Sequence, residues 1–210
     1  VNEQFIYSLF SKAYYRKGFR RYNDDECSVT QTTTCMLKAF YDRKMRREFA
    51  DNKKVILMWG TLLHRAVQRE LEEDGFGIED EASIRFSNVT LYGHVDAIDD
   101  TSILELKGVT RLPQEVLSHH RLQTIGYAYL FDREDNTVAY VHKPSGTVKT
   151  FKVLRDDRLF DYLKLRAVRL CTHLQRNVMP QPEPSWECRF CEYPDICSTY
   201  GKAISRRAGF

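Results

Sequence analysis

Between Tyr92 and Gly108 the chain reads YGHVDAIDDTSILELKG, and an Asp, a Glu and a Lys arrive there on two short apolar-rich runs. Leu91 to Ile98 alternates apolar and polar residues as a half-buried strand does. Asp99 to Ser102 supplies turn residues, and Ile103 to Leu106 resumes the alternation. The pattern predicts a hairpin. Residues two apart on a strand share a face, so Glu105 and Lys107 point one way while Leu104 and Leu106 point the other. Asp96, on the partner strand, falls within reach of both. Two carboxylates can hold a hard divalent cation such as Mg or Mn, and an adjacent amine can activate a water or stabilise charge on a phosphate. These residue types in this order suit a metal-dependent phosphodiesterase. An isolated Glu-x-Lys triplet is also an ordinary exposed strand face, so the rest of the chain has to decide.

A second constellation lies near the end. Cys188 and Cys191 form a Cys-x-x-Cys turn and Cys197 follows, which brings three thiolates toward one metal centre. The fourth ligand has to come from Cys27, Cys35 or Cys171, and spacing alone does not choose among them. Four thiolates suit a structural zinc or an iron–sulfur cluster. A zinc ribbon brings two Cys-x-x-Cys pairs, and the single pair here tilts the reading toward a cluster.

The elements that must position these groups follow from periodicity. Phe5 to Tyr22 mixes aromatics with Arg16, Lys17, Arg20 and Arg21, as an amphipathic helix with a basic face or as a stacking and phosphate surface for a single strand. Ser28 or Thr30 caps a helix with Cys35 near its middle and Leu37, Phe40 and Tyr41 beyond, ending in Lys38, Arg43, Lys44, Arg46 and Arg47. Val55 to Asp74 reads as a helix with Leu63, Val67 and Leu71 on the buried face and Arg65, Gln68, Arg69, Glu72 and Glu73 on the other. His64 sits at the edge of that stripe, where it could face inward. Ala82 to Thr90 precedes the central hairpin as a third strand of a meander. A helix beginning at Pro113 carries Gln123 and Tyr127 four residues apart on one face. Two strands follow, Val138 to His142 and Val148 to Val153, and then a long helix from Asp156 to Asn177. Pro180, Pro182 and Pro184 make a stiff approach to the cysteine lobe.

With 210 residues, 42% of them hydrophobic, the chain is long enough for one domain with a sizeable core and a small appended lobe. A net charge of +3 permits a nucleic-acid partner without requiring one. No run approaches the roughly 18 apolar residues of a membrane span, and no signal-peptide pattern opens the chain, so the expectation is a cytoplasmic protein with no membrane partner. Six cysteines in such a chain are ligands or buried thiols rather than a disulfide framework.

The order Cys35, His64, Gly93-His94-Val95-Asp96, Glu105-Leu106-Lys107, Gln123-x-x-x-Tyr127, Cys188-x-x-Cys191, Cys197 resembles the RecB-like CRISPR-associated exonucleases of the Cas-four type, within the PD-(D/E)xK nucleases. The resemblance covers the chain from about Ser28 to Cys197. It implies an α/β fold: a restriction-endonuclease-like core with a mixed central sheet flanked by helices, and a small iron–sulfur lobe joining the N- and C-terminal regions. The corresponding organisation is residues 1–54 as a helical segment contributing one cluster cysteine, 55–179 as the nuclease core and 180–210 as the cluster lobe. It further implies a cluster, 4Fe-4S in preference to 2Fe-2S, on Cys35, Cys188, Cys191 and Cys197. His64, Asp96, Glu105 and the Leu106 carbonyl would bind Mg or Mn. Lys107, with Asp96 and Glu105, would carry catalysis, activating or orienting the attacking water, and Gln123 and Tyr127 would position the DNA or the lysine. The implied activity is a deoxyribonuclease that degrades single-stranded DNA from an end, 5′ to 3′, in spacer acquisition or related DNA end processing. Its partners would be single-stranded DNA and the CRISPR spacer-integration complex, with a homo-oligomer left open. The basic-aromatic segments Tyr14 to Tyr22 and Phe40 to Arg47 are expected to grip that strand, with Arg46 and Arg47 on its phosphates. The alternative is a non-catalytic iron–sulfur DNA-binding or adaptor module, against which the intact set His64, Asp96, Glu105 and Lys107 argues.

Overall fold

Strand-forming residues crowd into SILELKGV and DNTVAYVH, and these two segments pair side by side as the parallel centre of the molecule. The structure is a computed structural model that describes residues 2–16, 20–45 and 49–197. In chain order its elements are α1 (Glu3–Arg16), β1 (Glu26–Ser28), α2 (Val29–Thr33), α3 (Met36–Lys44), α4 (Asp51–Glu73), β2 (Gly77–Ile78), β3 (Glu81–Phe86), β4 (Val89–His94), β5 (Ala97–Ile98), β6 (Ser102–Val109), α5 (Ser118–Leu130), β7 (Asp135–His142), β8 (Val148–Val153) and α6 (Asp157–Arg176). A short 3₁₀ turn, Trp186–Phe190, follows.

Among the described residues the strands form two sheets, β1-β4-β3 and β2-β5-β6-β7-β8. The first joins β1 to β4 in parallel and β3 to β4 antiparallel; the second is antiparallel except for β6 and β7. Helices flank both, so this is the α/β fold with mixed sheets that the sequence predicts. The expected hairpin is present at its turn, where β5 pairs antiparallel with β6 across Asp99–Ser102, but its first strand is broken and the three-stranded meander is corrected. β4 and β6 lie in different sheets, and the chain crosses between them at Val95 and Asp96. Asp96 therefore stands in a break between strands, not on a strand beside Glu105.

The single helix expected around Cys35 is two. Ser28 caps α2 in a reciprocal box with Gln31, and Thr34 then turns extended (φ −97°, ψ 174°) and ends it. Cys35 is the N-cap of α3, and its side chain makes no capping bond. Carboxylates from the far end of the chain serve instead: Glu187 accepts from the Cys35 N–H at 3.3 Å, and Glu183 from the Met36 N–H at 2.8 Å. The predicted long helix is α6, capped by Asp156 and stopped by Asn177 in the left-handed region at φ 51°. α5 starts at Ser118 rather than Pro113.

α5 and α6 bury the core, which includes Ile125, Leu163, Leu170, Val29, Leu91 and Tyr140. Gly126 sets how closely they approach. A Cβ there would lie 2.7 Å from Val29 Cγ1 and 3.1 Å from Leu163 Cδ1, so α5 crosses α2 and α6 with no room for a side chain. Gly126→Val is expected to destabilise the protein by about 1–3 kcal/mol through overpacking, read from the urea midpoint. An unchanged midpoint would mean the helices can separate there without cost.

Candidate active site

Strand β6 alternates sides as the sequence requires, and the consequence for Glu105 is severe: it is only 2% exposed. Its Oε1 lies 2.5 Å from Lys107 Nζ, while its buried Oε2 has no hydrogen-bond partner. Burial is the main force on this carboxyl and pushes its pKa up to about 7; Asp96 adds to the rise, and Lys107 and His64 oppose it. Burial pulls the Lys107 ammonium down, but the carboxylates of Glu105 and Asp96 outweigh it and hold its pKa above the usual lysine value.

Asp96 reaches this pair because β5 stops short. β5 pairs with β6 only at Ile103 and Leu104, which leaves that edge of β6 open from Glu105 onward. Asp96 Oδ2 accepts from the Leu106 N–H at 2.7 Å, and Oδ1 lies 3.0 Å from His64 Nδ1 on α4. Leu106 thus joins the site through its N–H. Gln68, one turn after His64, donates from Nε2 to the Asp96 carbonyl at 2.9 Å and to Glu79 at 3.0 Å. It is 6% exposed, although its polarity assigned it to the solvent face of α4. The signal that could have found it is its four-residue spacing from His64.

Behind the lysine, Tyr140 is the register partner of Lys107 on β7 and is fully buried. Its hydroxyl lies 2.8 Å from His120 Nδ1 and accepts from the Leu117 N–H at 3.1 Å. Burial, then the charge of Lys107, then His119 push the His120 pKa down to about 2, so that imidazole is neutral at physiological pH. Gln123 donates to the Tyr127 hydroxyl at 2.8 Å, and both are buried, 8% and 3% exposed. Neither presents a surface to a nucleic-acid strand, so of their two expected roles the direct DNA contact is not available in this arrangement. What Tyr127 does show is a ring lodged against β4 where Gly93 leaves space; a Cβ on Gly93 would lie 2.8 Å from its Cδ1.

The four cysteines singled out at the two ends of the chain line one cavity, with Leu37, Tyr41, Pro182, Pro184 and Tyr193 among its other walls. The Glu183 N–H donates to Cys35 Sγ and the Ser185 N–H to Cys188 Sγ, each at 3.4 Å. Cys27 and Cys171 are buried in the core instead. The donor set suits a thiolate-held centre, and the orphaned Glu105 oxygen suits a cation. Among the described residues, however, no three His, Cys, Asp or Glu side chains meet as a ready ligand group.

Of the expected strand-gripping segments, the described part of Phe40 to Arg47 is largely taken up in the core and in ion pairs, whereas Tyr15, Arg16 and Arg21 of the first segment are exposed. Phe40 and Tyr41 belong to the core, because α3 packs its aromatic face inward. Arg20 pairs with Glu81 and stacks on Tyr92 at 3.8 Å; Arg43 donates to the carbonyls of Tyr22, Asn23 and Glu26; Lys38 and Lys44 pair with Asp42 and Asp24. Arg46 and Arg47 lie outside the described residues. Among the described residues no helix is long and apolar enough to cross a membrane.

A family model for the PD-(D/E)XK nuclease superfamily matches residues 69–198, from the last turns of α4 through the last cysteine. The chain belongs to the PD-(D/E)XK nuclease superfamily. Asp96 and Glu105-Leu106-Lys107 lie within the matched residues. Solved structures agree on the fold. The crystal structure of SSO0001 aligns over 94% of this chain and 97% of its own at 19% identity, with a TM-score of 0.75. A putative exonuclease from Eubacterium rectale aligns over 90% and 95% at 10% identity and 0.55. An alkaline exonuclease from Laribacter hongkongensis aligns over 79% and 93% at 12% identity and 0.50. At these identities the likeness is one of fold. No match was found among curated proteins.

Nucleases of this superfamily use divalent metals such as Mg or Mn, and the electrostatics of Glu105 make such binding measurable without any substrate. Its carboxyl pKa rises from 4.5 to about 7 in the folded metal-free chain. Between those values the folded chain holds a proton that the unfolded chain has released, so raising the pH through that window lowers the stability of the metal-free form. A cation needs the ionised carboxylate and competes with that proton. Mn is therefore expected to raise Tm more at about pH 8 than at about pH 6, and Glu105→Gln to abolish the gain. Equal shifts at both pH values, or a shift retained in Glu105→Gln, would place the cation elsewhere.

Proposed function

We propose that the chain is a Mg- or Mn-dependent DNA exonuclease of the RecB-like, CRISPR-associated Cas-four type that carries an iron–sulfur cluster. The observation that carries the nuclease reading is the state of Glu105. It is a buried carboxylate with one oxygen on Lys107 and the other without a partner, beside a second carboxylate anchored at an open strand edge. His64, Asp96, Glu105 and the Leu106 carbonyl would hold the cation, which when bound supplies Lewis-acid charge at the scissile phosphate and lowers the pKa of a water. Asp96 is held in place from both sides, by the Leu106 N–H and, at its carbonyl, by Gln68. Because its neighbouring carboxylates keep Lys107 charged, this residue would orient the attacking water and stabilise charge on the phosphate rather than remove a proton.

The cluster would rest on Cys35, Cys188, Cys191 and Cys197. Supporting this are their shared cavity and the two backbone N–H groups aimed at Cys35 and Cys188, since hydrogen bonds to the sulfurs tune such centres. A single-strand substrate, 5′ to 3′ polarity, and action with the spacer-integration complex in spacer acquisition are supported by the order of motifs alone. The aromatic and basic side chains of α3 are spent on the core and on ion pairs and lend them nothing.

End-labelled single strands and blunt duplex, incubated with Mg, Mn or EDTA, test the activity. The wild type is expected to shorten the single strand from one end, and Asp96→Asn to abolish cleavage. Lys107→Ala should lower kcat by about 10²- to 10³-fold, as loss of one preorganised charge does. Undiminished cleavage in both variants, with contaminating nuclease excluded, would refute the assignment. Protein purified without oxygen should be brown and contain iron, and Cys191→Ala should lose the visible absorbance. A colourless wild type with stoichiometric zinc would sink the cluster.

A further inference from the structure

The loops that leave the carboxyl ends of β6 and β7 begin side by side. The Lys143 N–H donates to the Val109 carbonyl at 2.9 Å, and His142 Nε2 lies 3.0 Å from the Thr110 carbonyl. Arg111 follows Thr110 and Lys143 follows His142, so two cations flank this junction. Both are exposed, and among the described residues neither forms an ion pair. The first loop is tethered: Lys149 donates to the carbonyls of Pro113 and Gln114, and the Leu117 N–H to Tyr140.

Gly108 sets where the Lys143 side chain lies. A Cβ on Gly108 would stand 2.7 Å from Lys143 Cε, 3.6 Å from its Nζ and 3.0 Å from Leu63 Cδ2. The Lys143 stem therefore lies over Gly108, on the face of β6 opposite to Glu105 and Lys107, where Leu63 of α4, the residue before His64, also packs. This is the carboxyl end of adjoining parallel strands, where open α/β sheets take their ligands. Of the cations in the N-terminal region, Arg20 is engaged with Glu81, Arg43 with three carbonyls and Lys44 with Asp24, while Lys12, Arg16 and Arg21 are exposed.

The geometry points to Arg111 and Lys143 as a backbone-phosphate subsite, gripping the nucleic-acid strand at a phosphate next to the one that is cut. This rests on the nuclease reading and adds to it the surface that holds the substrate. The pair reads no base, so it contributes affinity without sequence preference. Phosphate contacts release counterions, so each one lost from a single strand flattens the slope of log K against log salt by about 0.7.

The test uses the full chain as wild type, Arg111→Gln, Lys143→Gln and the double variant; glutamine keeps most of the Lys143 stem over Gly108 and Leu63. Binding of a fluorescent oligothymidylate is measured in EDTA across a salt series, and cleavage of the same strand in Mn. Each single variant is expected to flatten the slope and the double variant to do so roughly twice as much. KM should rise while kcat at saturating strand stays unchanged, because the contact is made equally before and during the reaction. Hydrolysis of bis(p-nitrophenyl) phosphate, which has no neighbouring phosphate, should be equal in all four proteins, and Lys143→Arg should restore the slope. A double variant with the wild-type slope and KM, in a chain whose wild type cuts DNA, would overturn the subsite and leave the nuclease reading standing. A fall in bis(p-nitrophenyl) phosphate hydrolysis would also overturn it, by placing the pair in the reaction itself. A wild type with no metal-dependent cleavage would remove both.

Discussion

A carboxylate taken out of water costs several kcal/mol unless opposite charge and hydrogen bonds compensate, and Glu105 is compensated on one oxygen only. The arrangement around it manages that deficit. Lys107 sits on the satisfied oxygen, and Tyr140 and a neutral His120 stand behind the lysine, adding no further positive charge. Asp96 brings a second negative charge into the same space, which raises the cost and is retained only because its own bonds are fixed elsewhere, on Leu106 and His64. Two carboxylates and one ammonium leave an excess of negative charge. A fold that selected for stability alone would place an apolar residue at Glu105; one that binds a hard cation needs this deficit, and stability is given up for it.

The cysteine cavity rests on a comparable device. α3 begins at a residue that cannot cap it, and the helix is completed by Glu183 and Glu187 from the other end of the chain. Glu183 is in turn held by Arg166 of α6, at 2.7 and 2.8 Å in a two-pronged contact, while the same guanidinium donates to the carbonyls of Thr32 and Thr34. Burial works against both charges, and their contact outweighs it: Arg166 is held above and Glu183 below the ordinary range. One ion pair, buried at its Arg166 end, thereby closes the end of α2, the start of α3 and the proline segment around Cys35. The thiol positions depend on this pair, since removing Glu183 would leave the buried Arg166 without its counter-ion.

The regular elements were legible wherever one face alone is buried. β8 matches its expected bounds, and α6 lies within one residue of them, with Asp156 and Asn177 marking its ends. The passage from β4 to β5 was not legible, because Leu91, Gly93, Val95 and Ala97 are all buried and keep the strand period across the break. Alternation reports which side is inside; it does not report that the partner has changed. Gln68 and the end of α2 were missed for a related reason. Their conformations answer to Asp96 in the one case and to Glu183, Glu187 and Arg166 in the other, and no local pattern encodes a partner far away in the chain. The carboxylates and cysteines stand out in the sequence because chemistry restricts their types, whereas the aromatic residues of α3 do not, because stacking surfaces and cores use the same side chains.

α5 forms a wall common to the two regions. Its Tyr127 stands against β4 and near Thr30 of α2, and the negative charge of Glu105 helps keep its hydroxyl protonated, though burial is the larger cause. At its first turn His119 lies 4.0 Å, ring to ring, from His120 and 5.0 Å from Trp186, the residue that opens the 3₁₀ turn bearing Cys188. Burial, and after it the charge of Lys107, keeps the His119 pKa low. The lysine of one region and the cysteine turn of the other are thus separated by a short stack of rings at one helix end. A group bound among the cysteines would stabilise the folded lobe by mass action, and the lobe holds Trp186 against His119. The two regions can therefore differ in chemistry while sharing the packing that keeps each in place.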